Sequence, residues 1–84
     1  MKIFQVTQSG LNEIERKPDS GSTAIIVDEK ESKLWIWRGA GASPSDLYRA
    51  STAAITIKRQ FKLFNTKPVI IEEGNEPSDF KFKS

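Results

Sequence analysis

Apolar positions at Ile3, Phe4 and Val6 among polar neighbours predict a strand over residues 2–7, whose period of two puts Phe4 and Val6 on one side and Ile3 and Gln5 on the other. Gln8-Ser9-Gly10 is a turn signal, and the weaker alternation over residues 11–15 predicts a short hairpin partner. Pro18, Asp19, Ser20 and Gly21 make 16–22 a loop or a single helical turn. Thr23-Ala24-Ile25-Ile26-Val27 is an unbroken run, the pattern of a strand buried on both faces. A charged hairpin loop follows at 28–32, and Leu34-Trp35-Ile36-Trp37 is a second doubly apolar strand, with Trp35 and Trp37 facing one way and Leu34 and Ile36 the other.

The spacing then changes. Leu47, Ala50, Ala54, Ile57, Phe61 and Phe64 recur every three or four residues, which predicts one long amphipathic helix from about 43 to 64. Ser43 is a natural N-cap, Pro44 suits the first helical position, and Asp46 lies in the first turn, where the helix dipole favours an anion. Asn65 is the expected C-cap. Residues 68–71 form a last short strand, and 77–82 form a terminal stub. The order β-β-β-β-α-β predicts an α+β domain. Two strands are apolar on both faces, so the sheet needs cover on both sides. The helix supplies one cover, and the 16–22 loop or the 77–82 stub must supply the other.

Eighty-four residues hold one domain, 1–84, and a chain of this size buries only about 60–65% of its unfolded surface. It has no cysteine and no histidine, which excludes disulfides, thiolate chemistry, cysteine-ligated zinc and histidine-dependent catalysis. The glycines at 39 and 41 match neither a phosphate-binding loop nor a dinucleotide fingerprint. The acidic stretches 28–31 and 72–79 lack the spacing of a calcium loop and read as solvated turns. The chain is therefore not expected to be an enzyme. No apolar run approaches the ~20 residues of a membrane span. The start, MKIFQV, lacks the apolar core of a signal peptide, so the expected compartment is the cytoplasm.

The net charge is only +2, but its distribution is uneven. Residues 1–42 carry six charges of each sign, whereas 47–71 carry Arg49, Lys58, Arg59, Lys62 and Lys67 with no acid. One surface should thus be basic. Most aromatics fall on core faces, which argues against a base-stacking platform and against nucleic acid as a partner. Opposite the apolar stripe of the helix lie Tyr48, Thr52, Ile55 and Arg59, spaced four, three and four. An exposed helix face ordinarily carries Lys, Glu or Gln. This one carries Tyr and Ile and reads as a partner-binding face.

Ile25-Ile26-Val27-Asp28, the strand Leu34-Trp35-Ile36-Trp37-Arg38-Gly39, the Ser/Pro-started helix with its Ala-rich middle, and Val69 to Phe80 with its Glu73-Gly74-Asn75-Glu76-Pro77 segment occur together here. In combination these stretches resemble a gelsolin/villin-family domain. The resemblance implies a five-stranded mixed sheet between a long helix and a short C-terminal helix beginning near Pro77. It also implies actin, or an actin-like protein, as partner. In the family the outward helix face wedges into an apolar cleft of actin, which here assigns Tyr48, Arg49, Thr52, Ile55, Lys58, Arg59 and Lys62 to the contact. A monomer that sequesters actin or caps it weakly is the implied activity.

Calcium is where the sequence departs from the family. Gly21 is followed by Ser22 rather than an aspartate, and Asp46 stands where the family has a helix glutamate. A second family site, shared with actin, needs an acid where this chain has Lys58. The expectation is that no cofactor is needed, with at most a weak calcium site at Gly21 and Asp46. The rival reading is a gelsolin-like module that packs within a larger assembly without touching actin.

Overall fold

The computed structural model describes residues 1–80 and Phe82. Four strands, β1 (Lys2–Thr7), β2 (Gly10–Ile14), β3 (Thr23–Asp28) and β4 (Lys33–Arg38), are followed by helix α1 (Pro44–Gln60) and strand β5 (Val69–Glu72). They build one five-stranded sheet in the order β2-β1-β3-β4-β5. The first three pairings are antiparallel and β4–β5 is parallel, so the sheet is mixed. The parallel step follows from the connection, because α1 carries the chain back across the sheet before β5 begins.

The alternation read from the sequence sorts the side chains as expected. Phe4, Val6, Ile25, Val27, Leu34 and Ile36 face α1 and meet Ala50, Ala54 and Ile57. Ile3, Ala24, Ile26, Trp35, Trp37 and Ile71 face the other way. That second face is covered by the C-terminal stub. Phe80 meets Trp35 edge-on at 4.9 Å, and Phe82 meets Trp37 at 5.6 Å. Glu76 completes the cover by accepting the Trp37 indole N–H at 3.0 Å. Over Pro77–Phe80 the chain makes a turn, closed by the Phe80 N–H on the Pro77 carbonyl (3.0 Å), rather than a regular helix. The remainder of the expected short C-terminal helix lies outside the described residues, apart from Phe82.

The helix starts where the sequence places it. The Ser43 side chain accepts from the Asp46 N–H, and Pro44 opens the first turn. It ends earlier than the stripe predicts, at Gln60 rather than 64. Lys62 adopts a left-handed conformation (φ 57°). The Leu63 N–H then donates to the Lys58 carbonyl (2.8 Å) and the Lys62 N–H to the Arg59 carbonyl (3.2 Å). This paired closure reverses the chain and turns Leu63 into the core beside Ile57. Phe64, expected at the end of the stripe, is consequently 63% exposed. Leu47 and Phe61 are half-buried, packed on the edge of the core rather than inside it.

Candidate functional site

On α1 the buried positions Ala50, Ala54 and Ile57 define the inward side. At about 100° per residue, Tyr48, Thr52, Ile55 and Arg59 fall within a narrow arc diametrically opposite. All four are exposed, Tyr48 at 75% and Ile55 at 60%. The Thr52 hydroxyl donates to the Tyr48 carbonyl at 3.2 Å, so the middle of the stripe has no unpaired donor to desolvate. The result is an apolar ridge with a cationic end.

The remaining basic residues are not in the ridge. Arg49 and Lys58 lie roughly a quarter turn away on opposite flanks, both half-buried. Lys62 lies beyond the helix, at the left-handed residue that reverses the chain, and is exposed. These positions frame the apolar centre with positive charge. A groove of about 310 Å³ runs beside the ridge, between the β1–β2 hairpin and α1, with Thr7 and Leu11 on one wall and Tyr48, Thr52 and Thr56 on the other. The sequence pattern does not disclose this groove, because it depends on β2 lying beside β1 at the edge that α1 overhangs.

Among the described residues no hydrogen bond links the two calcium candidates, Gly21 and Asp46. Gly21 lies in the loop closed by the Ser22 N–H on the Asp19 carbonyl, which docks on the β4–α1 connection through the Gly41 N–H on the Ser20 carbonyl (2.9 Å each). Asp46 instead takes the Arg49 guanidinium on its Oδ1 at 3.0 Å. Ser22 Oγ accepts from Gln5 Nε2 at 2.8 Å. Among the described residues no cluster of three or more acidic side chains is placed to hold a metal ion. Asp46 and Ser22 are thus each partnered by a side chain of the protein itself.

Of the acids of 72–79, expected to be solvated, Glu72 and Asp79 are exposed, whereas Glu73 and Glu76 are half-buried and bonded to distant parts of the fold. Glu73 accepts the Ala40 N–H on Oε1 and the Ser20 hydroxyl on Oε2, both at 2.9 Å, and these bonds hold its carboxyl below the usual carboxylate range. The Trp37 indole does the same for Glu76, helped by the Gly74 N–H. Asp79 pairs with Lys33 at 2.9 Å, which lowers the one pKa and raises the other. Gly39 passes so close to the Ser20 loop that a Cβ there would collide with the Ser20 carbonyl oxygen. The glycine of the Trp-x-Gly segment is therefore a close-approach residue.

Comparison with protein-family models and with curated proteins finds no match. Solved structures do match. One is the crystal structure of the Thorarchaeota ProGel/rabbit actin complex, at 21% identity over 92% of this chain and 90% of that one, with a TM-score of 0.79. Another is the Thorarchaeota 2DGel3/rabbit actin complex, at 14% identity over 93% of this chain and 39% of that one, with a TM-score of 0.74. The fold is thus that of a gelsolin-like domain. No helix among the described residues is long and apolar enough to cross a membrane.

Proposed function

We propose that this domain binds actin through the outward face of α1 and regulates actin assembly by sequestering monomers or capping filaments weakly. The observation that carries the reading is the ridge itself. Tyr48 and Ile55 are large, exposed and aligned on a helix whose opposite side is fully used by the core. Both solved neighbours described above are complexes with rabbit actin, which supports the choice of partner. In this reading Tyr48, Thr52 and Ile55 enter an apolar cleft. Arg49, Lys58, Arg59 and Lys62 meet an acidic rim, where they speed association and make it salt-dependent. The domain is then a cytoplasmic binding module, not an enzyme.

The reading includes little dependence on calcium. The Arg49 guanidinium already supplies Asp46 with the positive charge that a bound metal would bring. A titration of pyrene-labelled actin tests both parts. Added domain should lower the rate or extent of polymerisation, equally with calcium and with a chelator. No effect at any ratio of domain to actin would remove the actin reading. Micromolar calcium binding by calorimetry, lost in Asp46→Ala, would remove the calcium part alone.

A further inference from the structure

The sheet has two edges, and they are built differently. β2 carries exposed Asn12 and Glu13, with Glu15 and Arg16 just past its end, polar groups of the kind that discourage addition of another strand. β5 carries no charge before Glu72, and its Val69 and Ile70 are 52% and 54% exposed. The Glu73 N–H donates to the Arg38 carbonyl of β4 at 2.9 Å. Backbone groups alternate sides along a strand, so Val69 and Ile71 also face β4, while Ile70 and Glu72 face outward. The Glu72 carbonyl is already taken by the Asn75 N–H (2.9 Å), and Pro68 has no N–H. Among the described residues the open edge therefore offers the Ile70 N–H and C=O, the Glu72 N–H and the Pro68 C=O.

These groups are complementary to a second copy of themselves. We infer that β5 is a self-pairing edge, along which two copies of the chain associate weakly with their β5 strands antiparallel and Ile70 opposite Ile70. The two Ile70 residues exchange their N–H and C=O groups, and each Glu72 N–H donates to the Pro68 carbonyl of the other copy. The reciprocal bond would need a Pro68 N–H, which does not exist, and a Glu72 carbonyl, which is already bonded. No backbone group is left unpaired. The side chains agree with the register. Ile70 meets Ile70 on the side of α1, Val69 lies opposite Ile71 on the tryptophan side, and Lys67 lies opposite Glu73. A parallel alignment would set Lys67 beside Lys67. The arrangement is a twofold one and closes at two copies. The short edge makes the association weak, so the chain is monomeric when dilute. The outward face of α1 takes no part in the pairing.

Sedimentation velocity and amide exchange of the full chain over a concentration series test this without actin. The sedimentation coefficient should rise with concentration, and the Ile70 and Glu72 amides should gain protection in step. Ile70→Pro deletes an N–H that no bond within one chain uses, at an edge position where proline is tolerated. It should weaken association by at least about tenfold and leave the melting temperature of the dilute protein unchanged. Ile70→Lys, which keeps the N–H but charges the edge, should weaken it as well. A chain monomeric at its highest soluble concentration overturns the inference, as does a dimer that survives both substitutions. So does protection that gathers on β2, or an Ile70 amide equally protected at every concentration, which would mean that the chain covers its own edge.

Discussion

Phe80→Ala is the sharpest perturbation of the fold. Phe80 is 4% exposed and meets two rings edge-on, Trp35 at 4.9 Å and Phe82 at 5.0 Å. Removing a buried phenylalanine costs about 3–5 kcal/mol in well-packed cores. The lower end applies here, because the segment around Phe80 has no regular structure and its neighbours can close partly over the gap. A loss of about 3 kcal/mol is a large fraction of the roughly 4–13 kcal/mol expected for 84 residues. At about 4–8 °C per kcal/mol, the melting temperature should fall by roughly 12–24 °C. Thermal melts followed by circular dichroism read the fall. Tryptophan emission should also shift to the red as Trp35 is wetted. Phe64→Ala is the control, since Phe64 is 63% exposed and its removal should change neither signal. A Phe80→Ala variant with wild-type melting and emission would refute the claim that the C-terminal stub is the second cover of the sheet.

Gly39→Ala forces a Cβ against the Ser20 and Ser22 backbone, so it should destabilise by at least about 1–3 kcal/mol, read by urea unfolding. The carboxyls of Glu76 and Glu73 are held below their ordinary range. They therefore stabilise the fold at pH values above the unfolded carboxyl value of about 4.3, and that contribution is lost as pH falls through their lower folded values. Glu76→Gln, whose amide oxygen can still accept from Trp37, should flatten the acid side of a stability–pH curve. An unchanged acid limb would contradict the assignment.

Much of the fold is legible in the sequence because its signals are local. The β3 and β4 runs are apolar at successive residues, and only a sheet covered on both faces accommodates that. Ser43, Pro44 and Asp46 mark the helix start through their own chemistry. The helix end is not legible in this way. Phe61, Leu63 and Phe64 are all apolar, and the residue that reverses the chain is Lys62, not a glycine. Which of the three enters the core is decided by the closure around Lys62. Glu73 and Glu76 sit in a charged turn, and their partners Ala40, Ser20 and Trp37 lie more than thirty residues away in sequence. The ridge of α1 is legible because it is the complement of a clear apolar stripe. The exposure of Val69 and Ile70 is not, because their run of apolar residues looks like a buried strand until β5 is seen to lie at an edge.

In the proposed function Ile55 serves a partner, and its 60% exposure leaves the core independent of it. Full burial of an isoleucine is worth about 1.5–3 kcal/mol, most of which an exposed Ile55 would gain only on binding a partner. A carboxylate at that position loses the term and strands a charge in an apolar cleft. The most direct measurement is a pyrene-actin titration of wild type and Ile55→Asp, with thermal melts of both and Arg59→Glu alongside. Ile55→Asp should bind actin at least about tenfold more weakly with an unchanged melting temperature. Arg59→Glu should lose less, and less again at high salt. Full actin activity in Ile55→Asp would contradict the helix-in-cleft account, and a large fall in its melting temperature would show that Ile55 serves the fold instead.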